Sequence, residues 1–174
     1  LAVALLAITL ASGLAQVLAP GIGVAGQEEV AQLSRILAPS SVGLGIVAVA
    51  SVWSATSERF FASSIGPLVY NLSVILFTLF GASTFGTTAP AVGTVVGAAL
   101  FAAIALIDAR AGGLRLVRPS FGDPLLLRAL RSLAPRIGGL LAIQVVLTGL
   151  IAAASTLGAG SITAWSYALS LVQL

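Results

Sequence analysis

Polar side chains recur at helical spacing along the last apolar segment of the chain. Intervals of three or four residues separate Thr163, Ser166, Ser170 and Gln173, and most of the residues between them are apolar. On an α-helix this spacing places the four side chains on one face. A polar face on a helix surrounded by lipid is typical of a water-lined cavity, in which these side chains contact a polar substrate. Helix packing through small hydroxyl residues is the alternative.

Two amide side chains, Asn71 and Gln144, also lie inside long apolar runs, and each follows a proline. Pro67 precedes Asn71 by one helical turn and frees a backbone carbonyl, so we predict a kink at Pro67. Asn71 can satisfy that carbonyl, bond to a neighbouring helix or line a cavity. Pro135 predicts a second kink, and Gln144 is interpreted either as an interhelical hydrogen bond or as a substrate contact.

The residue types that the chain lacks restrict its chemistry. With no Cys and no His, it can form no disulfide, thiolate or imidazole site. The predicted spans contain no paired carboxylates, and the sequence has no Gly-rich phosphate-binding motif and no Ser/His/Asp set. We therefore predict that the protein is not an enzyme and that it uses no catalytic residue, no cofactor and no metal.

The composition indicates a membrane protein. Hydrophobic residues make up 59% of the chain, charged residues make up 7%, and the mean hydropathy is +1.14. Soluble domains carry about 25% charged residues, so this chain cannot cover a surface that faces water. The sequence starts at Leu1 and contains no Met, and we expect it to be an interior part of a longer protein.

Apolar segments close to the length that a spanning helix needs, about 20 residues, recur along the whole chain. They predict an all-α membrane helix bundle, with about six transmembrane helices in a single membrane-embedded region, 1–174. Long runs rich in Ala, Leu and Gly, without period-two alternation, disfavour strands. Gly93 and Gly97 form a GxxxG pattern that predicts close helix packing. The predicted helices cover approximately 1–20, 33–56, 65–80, 90–107, 133–157 and 161–174.

The arginines predict the orientation of these helices. Seven of the eight Arg lie in or beside the second and fourth connections between helices. The positive-inside rule places these two connections in the cytoplasm, and the first, third and fifth connections outside. The net charge of +3 is therefore interpreted as a topology signal and not as a surface for nucleic acid. The seven residues are Arg59, Arg110, Arg115, Arg118, Arg128, Arg131 and Arg136.

The longer cytoplasmic connection contains a short amphipathic stretch that starts at Pro124. Arg128 and Arg131 share one face of this stretch. We predict an interfacial helix whose Arg side chains contact anionic lipid headgroups. The alternative is that the two Arg hold an anionic substrate. The cytoplasmic basic loop comprises Arg110, Arg115, Arg118, Arg128 and Arg131.

The order and separation of several short motifs resemble the MurJ/MviN family of lipid II flippases, which is similar to the multidrug and oligosaccharidyl-lipid flippases. Pro67 and Asn71 resemble the Pro-x-x-x-Asn start of one family helix, and Tyr167 and Ala168 resemble a block in the eighth. The resemblance covers nearly the whole chain. The stretches that carry it are 33–39, 48–60, 67–71, 133–135 with Gln144, and 160–168.

This resemblance implies a transporter built from two helical bundles that are related by pseudosymmetry, of which the chain spans the third to eighth helices. It implies that the protein moves a lipid-linked peptidoglycan precursor, lipid II or a similar undecaprenyl-linked glycan, across the bacterial cytoplasmic membrane by alternating access. The expected partners are that precursor and the membrane lipids. The candidates for the substrate path are Asn71, Gln144, Thr163, Ser170 and Gln173.

One departure from the family pattern concerns charge. The family's eighth helix usually carries an acid and an Arg directly after Tyr-Ala, whereas this chain has Leu169 and Ser170. An Arg is the natural partner of a pyrophosphate. The alternatives are therefore a related exporter with another cargo and a membrane scaffold that does not transport. An exporter of drugs or cations needs intramembrane carboxylates, which the predicted spans lack.

Overall fold

The computed structural model describes residues 2–18, 20–114, 124–158 and 160–172, and these residues contain helices and no strand. The all-α class that the sequence predicts is confirmed. Seven α-helices and one short 3-10 helix, Gly86–Thr88, follow one another along the described residues. The α-helices are α1 (Ala2–Thr9), α2 (Ala11–Leu18), α3 (Val24–Thr56), α4 (Phe61–Phe85), α5 (Ala89–Ala111), α6 (Pro124–Ser155) and α7 (Ser161–Val172).

Three helical stretches among the described residues are long and apolar enough to cross a membrane: Val24–Thr56, Phe61–Ala111 and Arg131–Ser155. The second of them has 51 residues and contains both α4 and α5. Together the three stretches hold the second, third, fourth and fifth predicted spans. The first predicted span is divided at Leu10 into two helices of 8 residues each, and α7 has 12 residues, so these segments are shorter than a span.

The predicted helix ends differ from the observed ones where a helix continues beyond its apolar part. Helix α3 begins at Val24, nine residues before the predicted start at 33, and its first turn bonds to the carbonyl of Gly23. Glu28 and Glu29, predicted in a connection, therefore lie within α3. Hydropathy detects only residues that suit lipid, whereas Gln and Glu are good helix formers that extend a helix into water.

Two predicted connections are also largely helical. The segment 81–89 was predicted to link two spans, but α4 continues through Phe85 and the chain turns only over Gly86–Thr88. Gly81 packs there near Ala89, so the small residues bring α4 and α5 together. The predicted amphipathic stretch at Pro124 and the fifth span form one continuous helix, α6, which has Pro135 in its interior.

The described residues fall into two compact units, and the first comprises 1–11 and 29–116. In this unit α4 and α5 form an antiparallel pair joined by the 3-10 turn. A Cβ at Gly97 would lie 2.9 Å from the carbonyl oxygen of Tyr70, and Gly93 meets Ser73 in the same way. The predicted GxxxG packing is therefore confirmed, because only glycine lets α5 approach the backbone of α4 this closely.

The core of the first unit is built mainly from alanine. A cluster of buried residues joins α3, the start of α4 and the second half of α5, with Phe101, Ile104 and Leu114 packed against it. Helix α3 reaches α5 through Gly43, where a Cβ would lie 3.0 Å from the carbonyl oxygen of Ala98. Small side chains thus set the helix spacing throughout this unit. The buried residues are Val47, Ala50, Ala62, Ala102, Ala105 and Ala109.

The second unit comprises 12–28 and 117–174, and within it α6 and α7 contact one another. Gly158 and Gly160 lie between these helices, with φ of 113° and 89°. Both values lie in the region that glycine adopts without a steric penalty. At the same end of α6, the amide of Gly21 donates a 3.2 Å hydrogen bond to Ser155 Oγ.

Candidate functional site

Helix α3 ends in a Schellman motif that directs the chain into α4. The amide of Arg59 donates to the carbonyl of Ser54 at 2.8 Å, and the amide of Glu58 donates to that of Ala55 at 3.2 Å. These are the two bonds that define the motif. Glu58 occupies its left-handed position with φ of 55°, and it is the only described residue other than glycine with a positive φ. The position is one that glycine usually fills.

Helix α5 ends in a second Schellman motif. The amide of Leu114 donates to the carbonyl of Ala109 at 3.0 Å, and the amide of Gly113 donates to that of Arg110 at 2.9 Å. Gly113 holds the left-handed position with φ of 85°. Leu114, which follows it, packs on the alanine core. Helices α3 and α5 therefore end in the same motif, with Glu58 in the left-handed position after α3 and Gly113 in that position after α5.

An ion pair joins these two helix ends. Arg59 Nε lies 3.0 Å from Asp108 Oδ1, and the Asp108 side chain is 2% exposed whereas that of Arg59 is 42% exposed. Asp108 Oδ2 also accepts a long hydrogen bond of 3.5 Å from the amide of Ala62, in the first turn of α4. The side chain of Phe60, the residue before α4, does not cap this helix. The carboxylate of Asp108 on α5 caps the positive N-terminus of α4 instead.

Two further hydrogen bonds connect α3 with the turn after α5. Trp53 Nε1 donates to the carbonyl of Gly112 at 3.1 Å, and Ser57 Oγ donates to the same oxygen at 3.4 Å. We call Trp53, Ser57, Arg59, Asp108 and Gly112 the end cluster. The cluster fixes three helices at the end of the unit that the Arg distribution predicts to be cytoplasmic.

Sequence reasoning did not find the end cluster. The predicted span ended at 107 and left Asp108 in a loop, and the structure corrects this by placing Asp108 in the last turn of α5. Its partner Arg59 is 49 residues away in the sequence, so no local pattern joins them. The available signal was a single acid at the end of one apolar run and a single Arg at the end of another. Opposite charges at the edge of lipid tend to pair.

Asn71 lies on an exposed side of α4 that does not face α5. Ser64 and Thr78, each seven residues from Asn71, are exposed too and share that side by helical spacing. Both hydroxyls donate to backbone carbonyls four residues earlier, Ser64 to Phe60 at 2.8 Å and Thr78 to Val74 at 2.7 Å. We call Ser64, Asn71 and Thr78 the α4 polar stripe. Pro67 lies within α4 on the turn before Asn71.

The polar residues of α7 occupy its exposed face. Thr163, Ser166 and Ser170 are exposed, and the hydroxyls of Ser166 and Ser170 donate to carbonyls of their own helix at 2.9 Å. The other face is half-buried and carries Ile162, Trp165 and Leu169. The helical face predicted from spacing is therefore present over three of its four members, and the fourth, Gln173, lies outside the described residues.

Gln144 is exposed near the middle of α6, nine residues after Pro135. Gln144 belongs to the second unit, as does α7, whereas Asn71 belongs to the first. Arg110 is exposed in the last turn of α5, and Arg128 and Arg131 are exposed on α6. The predicted residues Arg115 and Arg118 lie outside the described residues.

A sequence model of one protein family, lipid II flippase MurJ, matches residues 1–174. This chain belongs to the lipid II flippase MurJ family. No curated protein and no solved structure matches it significantly. As a MurJ family member with three apolar helical stretches long enough to cross a bilayer, the protein is a multi-pass membrane protein. Its exposed apolar surface, which includes Leu72 and Leu79 on α4, suits lipid as a solvent.

Proposed function

We propose that the protein moves a lipid-linked peptidoglycan precursor across the bacterial cytoplasmic membrane by alternating access, as a flippase. The match of the MurJ family model to residues 1–174 carries this proposal. The polyprenyl tail of such a cargo can stay in lipid, but its glycan and pyrophosphate are too polar to cross the hydrocarbon unaided. The protein therefore supplies a polar path for the headgroup.

The proposed path residues have the chemistry that a glycan headgroup requires. Hydroxyl and amide side chains both donate and accept hydrogen bonds, as sugar hydroxyls do. The proposed path residues are Asn71, Gln144, Thr163, Ser170 and Gln173. The described hydroxyls of Ser166 and Ser170 are bonded to their own helix, so they need no partner while the path is empty and can turn to a sugar.

Alternating access requires parts that keep their own internal structure while they move. The end cluster supports this property for the first unit, because the Arg59–Asp108 ion pair and the bonds to Gly112 hold α3, α4 and α5 together. In the proposed cycle these helices move as one body. The cytoplasmic basic loop, with Arg110, Arg128 and Arg131, lies beside anionic lipid headgroups.

A related exporter of cationic drugs is the second function that the family's fold allows, and one observation disfavours it. Such an exporter needs a carboxylate within the membrane that can bind a proton or a cation. Asp108 is the buried acid of the described residues, and it is already paired with Arg59. A carboxylate neutralised by an arginine is a poor site for a second cation.

Complementation tests the proposed function directly. The gene that encodes this chain in full is expressed in cells whose lipid II flippase can be switched off. We expect growth and normal shape to be restored. Failure of a protein that is shown to be present in the membrane would contradict transport of lipid II and favour another lipid-linked cargo or a scaffold.

A companion variant, Ser170→Arg, tests whether position 170 must supply a positive charge for the anionic cargo. It introduces the cation that the resemblance places at this position, the second residue after Tyr167-Ala168. Rescue by the unchanged protein would mean that another residue supplies the positive charge. Rescue by Ser170→Arg alone would identify a working transporter whose natural cargo is not lipid II. Thr163→Arg, on the same exposed face of α7, is the control for a charge placed at the wrong depth.

A further inference from the structure

The segment between α2 and α3 packs against the end of α6 in the second unit. The amide of Gly21 donates a 3.2 Å hydrogen bond to Ser155 Oγ, although the two residues are 134 positions apart in the sequence. Ser155 is the last residue of α6, and its hydroxyl donates in turn to the carbonyl of Ala152 at 2.7 Å. We call the contact of Gly21 with Ser155 and Thr156 the α6-end contact.

The two backbones approach one another closely because position 21 is glycine. A Cβ at Gly21 would overlap the carbonyl of Ser155 and would lie 2.8 Å from Thr156 Cα. These are backbone atoms that cannot turn away, so a larger residue at position 21 must separate the two segments. Gly23, two residues later in the same segment, has open space where its Cβ would lie. The requirement for glycine is therefore specific to position 21.

The burial of α6 is confined to the end that forms this contact. Every residue from 131 to 146 is exposed, whereas Ala154 and Ser155 are buried. The half-buried residues between 147 and 152 are spaced so that they share one face of the helix with Ser155. Among the described residues of the second unit, α6 is therefore covered near Gly21 and open along the stretch that includes Gln144.

The α6-end contact joins two connections that the Arg distribution places on the same side of the membrane. Gly21 lies in the first predicted connection, and Ser155 lies directly before the fifth. The positive-inside rule assigns both connections to the outside, and a direct hydrogen bond requires that they share a side. Arg128 and Arg131 mark the opposite, cytoplasmic end of α6. The open stretch of α6 thus leads from the contact toward the cytoplasm.

We propose that the α6-end contact is the outer gate of the transport path, which is closed in this structure and opens to release the cargo outside. This inference rests on the proposed flippase function. A gate must exclude the headgroup when it is shut and must open once in every cycle without a large cost. Here the backbones touch, so the closed state leaves no passage between them. The hydrogen bond that joins them shifts a two-state equilibrium only about fivefold.

Thiol labelling in intact cells tests the gate on the complete protein, in a background free of other cysteines. The probe is Gln144→Cys, which lies about 16 Å along α6 from Ser155, and the reagent is a maleimide that does not cross the membrane. We expect slow labelling while the gate is closed. Ser155→Ala removes the acceptor of the Gly21 amide and should raise the labelling rate about fivefold. Thr156→Ala, which leaves that bond intact, is its matched control.

A stronger variant separates the two segments by steric overlap. Gly21→Val should raise the labelling rate more than Ser155→Ala does, whereas Gly23→Val adds the same side chain in open space and should leave the rate unchanged. Ser155→Ala carries the test if Gly21→Val does not fold. Equal labelling rates in Ser155→Ala and Thr156→Ala, or in Gly21→Val and Gly23→Val, would overturn the gate.

A cross-link tests whether the contact opens during transport. Ile22→Cys and Thr156→Cys place one thiol on each segment, next to the hydrogen bond, and a short bifunctional methanethiosulfonate joins them. We expect the cross-linked protein to stop delivering the lipid II headgroup to the outer surface and to recover after reduction. Undiminished delivery by the cross-linked protein would overturn the gate. If the unmodified protein delivers no lipid II but Gln144→Cys labelling responds to Ser155→Ala, the gate stands and the cargo assignment fails.

Discussion

Asp108 accepts from Arg59 at 3.0 Å and from the amide of Ala62 at 3.5 Å, so one carboxylate of α5 neutralises an arginine and caps the start of α4. The Asp108 side chain is 2% exposed, whereas that of Arg59 is 42% exposed. The two partners are therefore unequal. An Arg that loses its partner can turn to water and lipid headgroups, whereas a buried carboxylate that loses its partner cannot.

This difference in exposure predicts how strongly each of three substitutions lowers the unfolding temperature. Arg59→Gln should lower the unfolding temperature most, because it leaves the buried carboxylate of Asp108 without its cationic partner. Asp108→Ala removes the cap of α4 but leaves an exposed Arg that water can solvate, and it should have an intermediate effect. Asp108→Asn keeps an acceptor for the amide of Ala62 and should have the smallest effect. Thermal unfolding of the complete protein in detergent checks the order, and an Asp108→Ala effect larger than that of Arg59→Gln would contradict it.

The turn at Glu58 predicts a stabilising substitution. Glu58 has φ of 55° and is exposed, so its side chain gains no burial that offsets the left-handed backbone. Glu58→Gly should stabilise the protein by about 1 kcal/mol, the usual cost of this conformation for a residue with a Cβ. The measurement is the free energy of unfolding in a mild denaturant.

Two controls separate backbone strain from charge at this turn. Glu58→Ala removes the carboxylate but keeps the Cβ, so it should give none of the gain. Gly113→Ala introduces a Cβ at the equivalent position of the second Schellman motif, where φ is 85°, and should destabilise the protein. A gain in Glu58→Ala equal to that in Glu58→Gly would show that charge, not backbone conformation, matters there.

The helices were predictable from the sequence because lipid demands long apolar runs, and hydropathy detects such runs directly. Their ends were not, since a helix can leave the hydrocarbon and continue. Val24 begins α3 well before its apolar part, and α4 continues to Phe85 through a segment rich in small residues that suggested a loop. The Gly158–Gly160 turn was predictable, because its φ values require glycine.

The candidate site was predictable only in part, for a different reason. The polar face of α7 follows from spacing within one helix, and three exposed residues, Thr163, Ser166 and Ser170, lie as that spacing requires. The pairing of Arg59 with Asp108 depends on how three helices pack, and the packing is set by glycines that show no preference for one partner helix. Gly93 and Gly97 indicated close helix packing but not the residues that they would contact.

The GxxxG contact predicts a large effect from one added side chain. At Gly97 a Cβ would lie 2.9 Å from the carbonyl oxygen of Tyr70, which is backbone and cannot turn away. Gly97→Val should therefore separate α4 from α5 and abolish the folded, flippase-competent protein. Expression in the membrane, fluorescence-detected size-exclusion chromatography and complementation would check this result.

Gly138→Ala is the matched control for the glycine prediction. A Cβ at Gly138 has open space around it, with nothing within 4 Å. The change should be tolerated, and the better helix propensity of Ala favours α6 by up to about 1 kcal/mol. If Gly97→Val and Gly138→Ala lost folded protein to the same extent, the close contact between α4 and α5 at Gly97 would not explain the loss.

The topology can be tested with single cysteines, because the chain contains no Cys. Glu58 lies in the turn between α3 and α4, and Thr87 lies in the 3-10 turn after α4; both are exposed. The 25 residues of α4 extend for about 37 Å, so the two turns lie on opposite sides of the membrane. In a background free of other cysteines, Thr87→Cys should react with an impermeant maleimide in intact cells.

In the same experiment Glu58→Cys should react only after the cells are permeabilised, because the arginine beside it marks the cytoplasmic side. The reverse pattern would invert every helix in the first unit. The end cluster would then lie at the outer surface, and the Arg count would not report the orientation of this chain.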